Sequence, residues 1–233
     1  MSLRTKLLAL AIAFAVVPLL AASIAIAFGI AEVRAKALDE FKSLKAGAVQ
    51  DRIDRCLFER YGDAQAFALN PAFNADWVQP TEAQRAAATA MADRLATTYG
   101  VYPLVMVVSA SGRVVAANTV GHDAKPVDTT ALIGRDVSPL PWFIAARDGR
   151  FTTDADCANS TVVTDPERDA LVAEVYGARA PRFCMTFTAP IAGAAGAPPI
   201  GYIHNVFSGG VIEDIIIETQ AVLAAGEDRK SVV

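Results

Sequence analysis

Trp142 and Phe143 are the residues of this chain best suited to hold a small molecule. They are adjacent in "LPWFIAARDG", Leu140 to Gly149. An indole and a phenyl ring wall an apolar concave site, and the indole N–H supplies one directional donor. The same two rings would equally seal a hydrophobic core. Leu140 precedes a proline and is expected extended, which makes Pro141 the first residue of a short helix and Gly149 its stop. Trp142 then shares a helix face with Ala145 and Ala146, small neighbours that leave the indole room to lie flat.

Further candidates lie on stretches that alternate in the two-residue period of a strand. In "RFCMTFTAP" that period puts Arg182, Cys184, Thr186 and Thr188 on one face and Phe183, Met185 and Phe187 on the other. The first, more polar face is the side expected to meet a ligand, through Arg182 and Thr186. Asn118 and Asn205 end or interrupt apolar strands, where an amide would orient a ligand or simply bond neighbouring backbone. Asp154, in the loop after the aromatic helix, would recognise an amine or stay solvated.

Catalytic and metal chemistry find no such support. The two histidines are His122 in a loop and His204 within a strand, and no H-E-x-x-H, G-x-S-x-G, phosphate-binding glycine loop or C-x-x-C pair occurs. No catalytic residue, metal ligand or cofactor site is assigned, and the expectation is a protein that is not an enzyme. Cys56, Cys157 and Cys184 make an odd count for an oxidising compartment. Cys157 with Cys184 is the internal bridge the layout allows, and three free thiols are the alternative.

These residues must be placed by an α+β arrangement. From Glu32 to about residue 70 there is no proline, and apolar residues recur at near-heptad spacing from Val33 to Ala68, which predicts one long helix of roughly 55–60 Å that needs a partner along its stripe. Asn70-Pro71 ends it. "TEAQ" from Thr81 is a capping box opening a second helix that stops at Gly100. "VYPLVMVVSASGRVVAANT" and "RFCMTFTAPIAG…IGYIHNVFS" read as two hairpins. Between them lie the aromatic helix, a loop "RFTTDADCANSTVVTDP" and a short helix "ERDALVAEVYG", and a last helix "VIEDIIIETQAVLAAG" follows. The expectation is an antiparallel sheet carrying helices on one face.

From Leu7 to Ala31 there is no charge, and at about 1.5 Å per residue this run spans roughly 37 Å, enough to cross a bilayer core of about 30 Å. Arg4 and Lys6 precede it and Glu32 follows, so the positive-inside bias keeps the N-terminus cytoplasmic and sends the rest outward, to the periplasm of a bacterium. A cleaved signal peptide ending near Ala25–Ala27 is the competing reading. The net charge of −4, from 21 Lys and Arg against 25 Asp and Glu, offers no basic surface for nucleic acid.

Taken in order, the helix leading to "YGDAQAFALNP", the hairpin "LVMVVSASGRVVAANT", "LIGRDVSPLPWF" and "MTFTAPIAGAAGAPPIGYIHNVFS" resemble the extracytoplasmic Cache sensor, a relative of the PAS fold, of a bacterial methyl-accepting chemotaxis receptor. The resemblance implies a transmembrane anchor at residues 1–31, continuous with a stalk and dimerisation helix at 32–70. A Cache domain at 71–208 follows, then a connecting helix and the start of a truncated following segment at 209–233. It also implies a single-pass inner-membrane homodimer whose ligand pocket is roofed by the "PWF" helix and the loop after it. One amino-acid-sensing subgroup carries an arginine two residues before the tryptophan and a tyrosine after it. Here Leu140 and Phe143 stand there, so the usual clamp for an α-carboxylate is missing. A small organic acid, an amide or a heteroaromatic metabolite is the expected ligand, in a hollow beneath the indole.

Overall fold

The computed structural model describes residues 2–153, 160–194 and 197–230. Asp154 and Cys157 lie outside the described residues, and so does the expected Cys157–Cys184 bridge. The chain divides into two compact units, Met1–Asp51 and Arg52–Val233, and the first helix, α1 (Leu3–Ala68), contributes to both.

The first unit is helical from Leu3 onward, with Pro18 inside the helix, and its stretch from Leu7 to Ala31 carries no charge. Phe14, Leu19, Leu20, Ile24, Ile26 and Phe28 of this unit are exposed. An 18-residue stretch of mean hydropathy 2.2, with none of it buried, is long and apolar enough to cross a membrane.

The second unit is built on a five-stranded antiparallel sheet in the order β2-β1-β5-β4-β3. Its strands are β1 (Leu104–Ser109), β2 (Val114–Ala117), β3 (Val162–Val163), β4 (Cys184–Ile191) and β5 (Gly201–Ser208). The two hairpins expected from "SASG" and from the glycine, alanine and proline turn are β1–β2 and β4–β5, and β5 joins them by pairing with β1. The stretch read as loop after the aromatic helix contributes β3, whose two residues pair with Thr188 and Phe187. So short a strand carries no alternation to read.

Helices cover both faces of the sheet, not one. The helix α3 (Pro141–Arg147) and the helix α4 (Ala170–Tyr176) pack with Tyr202 and Val206 of β5. The end of α1 and the helix α2 (Glu82–Tyr99) pack with Ile203 and Phe207. Every residue of the central strand β5 is buried, because each side of the pleat needs its own helical layer. Local signals hold α2 as read: Thr81 and Gln84 form the reciprocal capping box, and Gly100 takes the left-handed conformation at the C-cap.

A polar clasp fixes α1 to the sheet. Arg60 Nε lies 2.8 Å from Asp63 Oδ2, and the buried Tyr102 hydroxyl donates to the same oxygen at 2.6 Å. The Arg60 guanidinium also sits 5.7 Å from the Tyr102 ring centre. Burial raises the Asp63 carboxyl above its ordinary range, against the lowering effect of both partners. The helix α5 (Gly210–Lys230) leaves β5 through Gly209. A Cβ there would lie 2.2 Å from the Phe183 ring, so any other residue would require that ring to move. Arg52 of α1 donates to Thr219 Oγ1 at 3.0 Å and to Glu218 at 3.2 Å, tying the two helices.

Candidate functional site

Pro141 at the first helical position and Leu140 extended before it set the entry of α3, and Gly149 stands past its end with φ of +69°. This short helix presents Trp142 and Phe143 inward, both buried. The indole stacks on the His204 imidazole, ring centres 3.8 Å apart and planes 24° from parallel. Phe143 meets Trp142 edge-on at 5.9 Å and Tyr202 edge-on at 5.3 Å. The surface beneath the indole is therefore occupied by His204, where a hollow was expected.

Alternation in β4 and β5 decides what else shares this face. Thr186 and Thr188 of β4 lie in register with Val206 and His204 of β5, and Val206 belongs to the α3-side core. Thr188 Oγ1 and His204 Nδ1 share a hydrogen bond of 2.8 Å. The Thr186 and Thr164 hydroxyls are 3.1 Å apart, and the Thr186 N–H donates to Thr164 Oγ1 at 3.0 Å. His204 is fully buried, and desolvation pushes its pKa down to about 3, so the ring is neutral at physiological pH. Its Nε2 has no hydrogen-bond partner among the described residues. Burial pushes the Cys184 thiol on the same face up to about 12 and keeps it protonated, which is the state of an inert core thiol.

The sequence candidates thus separate. Trp142, Phe143 and Thr186 share the α3 side of the sheet. Asn118 is fully buried at the end of β2, and its amide is spent on backbone: Oδ1 accepts from the Val105 N–H at 2.8 Å, and Nδ2 donates to the carbonyls of Pro103 at 3.1 Å and Val120 at 3.0 Å. It fixes a strand end and has no free group to offer a ligand. Asn205 faces the opposite layer, in a row with Phe187 and Val105, so β5 separates it from Trp142. Arg182 precedes β4 and is exposed; the strand period assigned to it begins at Cys184. His204 and Thr188 complete the arrangement beneath the indole. The alternation of "GYIHNVFS" set Tyr202, His204 and Val206 on one face, but which helix covers that face is not written in the strand.

Beside the Asp169 carboxyl group, which acts on the Cys184 thiol, Trp142, Thr186, Thr188 and His204 form an uncharged patch of rings and hydroxyls with one imidazole. That combination suits recognition by stacking and uncharged hydrogen bonds.

No family model matches the sequence, and no curated protein matches it significantly. Solved structures do resemble it. The sensor domain of the V. cholerae histidine kinase DctB is 13% identical with a TM-score of 0.58, over 78% of this chain and 60% of that one. The ligand-binding domain of the Campylobacter jejuni chemoreceptor Tlp3 in complex with L-valine is 13% identical with a TM-score of 0.55, over 76% and 63%. The sensory domain of the same chemoreceptor with isoleucine bound is 11% identical with a TM-score of 0.53, over 76% and 63%. The chain spans about three fifths of the length of these solved chains. At such identities the likeness is one of fold. The α+β architecture around an antiparallel five-stranded sheet is that of the Cache-like sensor domains of histidine kinases and chemoreceptors.

Proposed function

We propose that this chain is the ligand-sensing region of a chemotaxis-type receptor, anchored once in the inner membrane by Leu7–Ala31 and carrying its sensor on the periplasmic side as a homodimer. It binds and does not catalyse. Its ligand is a small molecule recognised without a carboxylate clamp: an organic acid, an amide or a heteroaromatic metabolite. The observation that carries the reading is the layout of β5. His204 of this strand lies under the Trp142 indole, and the strand ends at Ser208 and leads through Gly209 into α5, which Arg52 ties to α1. A ligand that reorders the α3 layer would therefore bear on both helices that leave the sheet, and a shift of an ångström or two between two packings would carry the signal.

A thermal-shift screen of the full chain in detergent against organic acids, amides and heteroaromatics tests binding, since a ligand of the native state raises the transition. Trp142→Ala should abolish the shift given by a ligand of the α3 face. A shift that survives this change would place binding elsewhere. Cysteine pairs on α1 should change their crosslinking yield when that ligand is added; an unchanged yield would argue against signalling through the helix. The alternative reading is the same sensor on a histidine kinase or a cyclic-nucleotide enzyme, or a tethered periplasmic binding protein. The likeness to the DctB sensor supports the first of these as well as it supports a chemoreceptor, and fusing the chain to each output module separates them.

A further inference from the structure

The α1 face of the sheet holds an anomaly with a chemical meaning. Asn205, fully buried in the central strand, has neither a donor for Oδ1 nor an acceptor for Nδ2 among the described residues. Its register partners explain why: Phe187 on one side and Val105 on the other offer no polar atom. A buried amide with both ends unmet is costly, and a strand position this well packed would more stably hold leucine or valine.

A cleft opens beside it. A cleft of about 520 Å³ lies between α1 and the β3 edge of the sheet, lined by Asp54, Arg55, Phe58 and Tyr61 of α1, the first two an oppositely charged pair, and by Val163 and Phe187. That volume is in the range that holds small ligands, which run from roughly 300 to 1,000 Å³. Val163, Phe187 and Asn205 are consecutive members of one cross-strand row. Neighbouring strands are about 4.8 Å apart, so the amide sits one strand behind the wall that Phe187 gives the cleft.

We propose that this cleft is the mouth of a second binding site that ends on Asn205, and that its ligand is an aromatic or heteroaromatic compound carrying an uncharged amide-type edge, with one donor and one acceptor side by side. The three rings of Phe58, Tyr61 and Phe187 take the aromatic body, and a rotation of the Phe187 side chain admits the edge to Asn205. The pairing is set by the orphan groups themselves: an amide donates to Oδ1 and accepts from Nδ2, whereas a carboxylate can satisfy only Nδ2. Because α1 forms one wall, occupancy of this site bears directly on that helix. The site lies across the sheet from Trp142 and does not depend on the α3 face binding anything.

Benzamide is the probe and benzoate its control, with binding to the full chain in detergent followed by ligand-observed NMR. Benzamide should bind at least tenfold more tightly than benzoate. Asn205→Leu should abolish that preference while raising the thermal transition of the unliganded protein, because it removes unmet polar groups. Phe58→Glu, on the exposed wall, should weaken benzamide at least tenfold without altering the transition, and Trp142→Ala should leave benzamide affinity unchanged. Absence of benzamide binding at millimolar concentration, equal affinity for benzoate, or a lowered transition in Asn205→Leu would each overturn the proposal. Loss of benzamide binding in Trp142→Ala would move the site to the α3 face. Whether the α3 face answers a ligand is read separately, from the shift that Trp142→Ala removes.

Discussion

On the α3 side of β5, His204 shares a hydrogen bond with Thr188 and lies flat under an indole. One residue further along, on the α1 side, the Asn205 side chain has no hydrogen-bond partner among the described residues. Both are polar, both are fully buried, and they are neighbours in the chain. What separates them is the residue opposite on β4: threonine for one, phenylalanine for the other. In a central strand the fate of a buried polar group is decided by the register row to which it belongs, since cross-strand partners are the nearest side chains it can reach. A second asparagine, Asn118, makes the same point from the sheet's end, where irregular backbone leaves carbonyls and an N–H within its reach.

The largest effect on this contrast should come from Trp142→Ala. Removing the indole strips His204 of its cover and leaves a cavity, at a cost of about 3–5 kcal/mol, measurable by denaturant unfolding. A loss under 1 kcal/mol would mean that the α3 layer is loosely packed and would erase the difference between the faces.

Asn118→Ala comes next. It leaves buried backbone groups of Val105, Pro103 and Val120 unmet, for roughly 2–3 kcal/mol, also read from denaturant midpoints. Asn205→Leu should have the opposite sign, so the two asparagines form a matched pair; destabilisation by both would show that Asn205 has a partner after all.

The neutral His204 should make stability depend on acid. Its folded pKa of about 3 lies below the ordinary 6.5, so the unfolded chain binds a proton that the folded one refuses. The stabilising contribution is complete above pH 6.5 and drains away as the pH falls towards 3. By linkage, the wild type should lose roughly 2 kcal/mol relative to His204→Gln between pH 6.5 and pH 5. Unfolding curves of the two proteins at both pH values supply the check, and parallel pH profiles would mean that His204 is charged or solvated.

Thr188→Val is smaller and more pointed. It turns the His204 row into a copy of the Asn205 row, and the lost hydrogen bond should cost about 1–2 kcal/mol. No measurable change would remove the register argument. Arg182→Ala closes the series: an exposed side chain before the strand should alter stability by less than about 0.5 kcal/mol, and a larger loss would assign it a contact.

Much of this architecture was legible in the residues, and for local reasons. The capping box at Thr81, the glycine at position 100, the proline at 141 and the period-2 runs of β1, β4 and β5 each act within a few residues, so each can be read without a fold. The alternation in β4 likewise placed Thr186 and Thr188 on one face and Phe187 on the other. The two-residue β3 escaped because a strand that short exists only through its pairing with β4. The second helical layer escaped because the sequence shows that a helix has an apolar stripe without showing which face of the sheet receives it.

By itself, then, the sequence determined the uncharged span from Leu7 to Ala31, the helices, with both ends of α2 and the start of α3, the hairpins and the inward aromatic pair, all of which follow from hydrophobic periodicity and backbone preferences acting over short distances. Only the tertiary structure decided that His204 meets Trp142, that Asn118 is spent on backbone, and that Asn205 lies stranded across the sheet. Those outcomes depend on which strand pairs with which and in what register, and contacts between residues far apart in the chain carry no signature in the residues on either side.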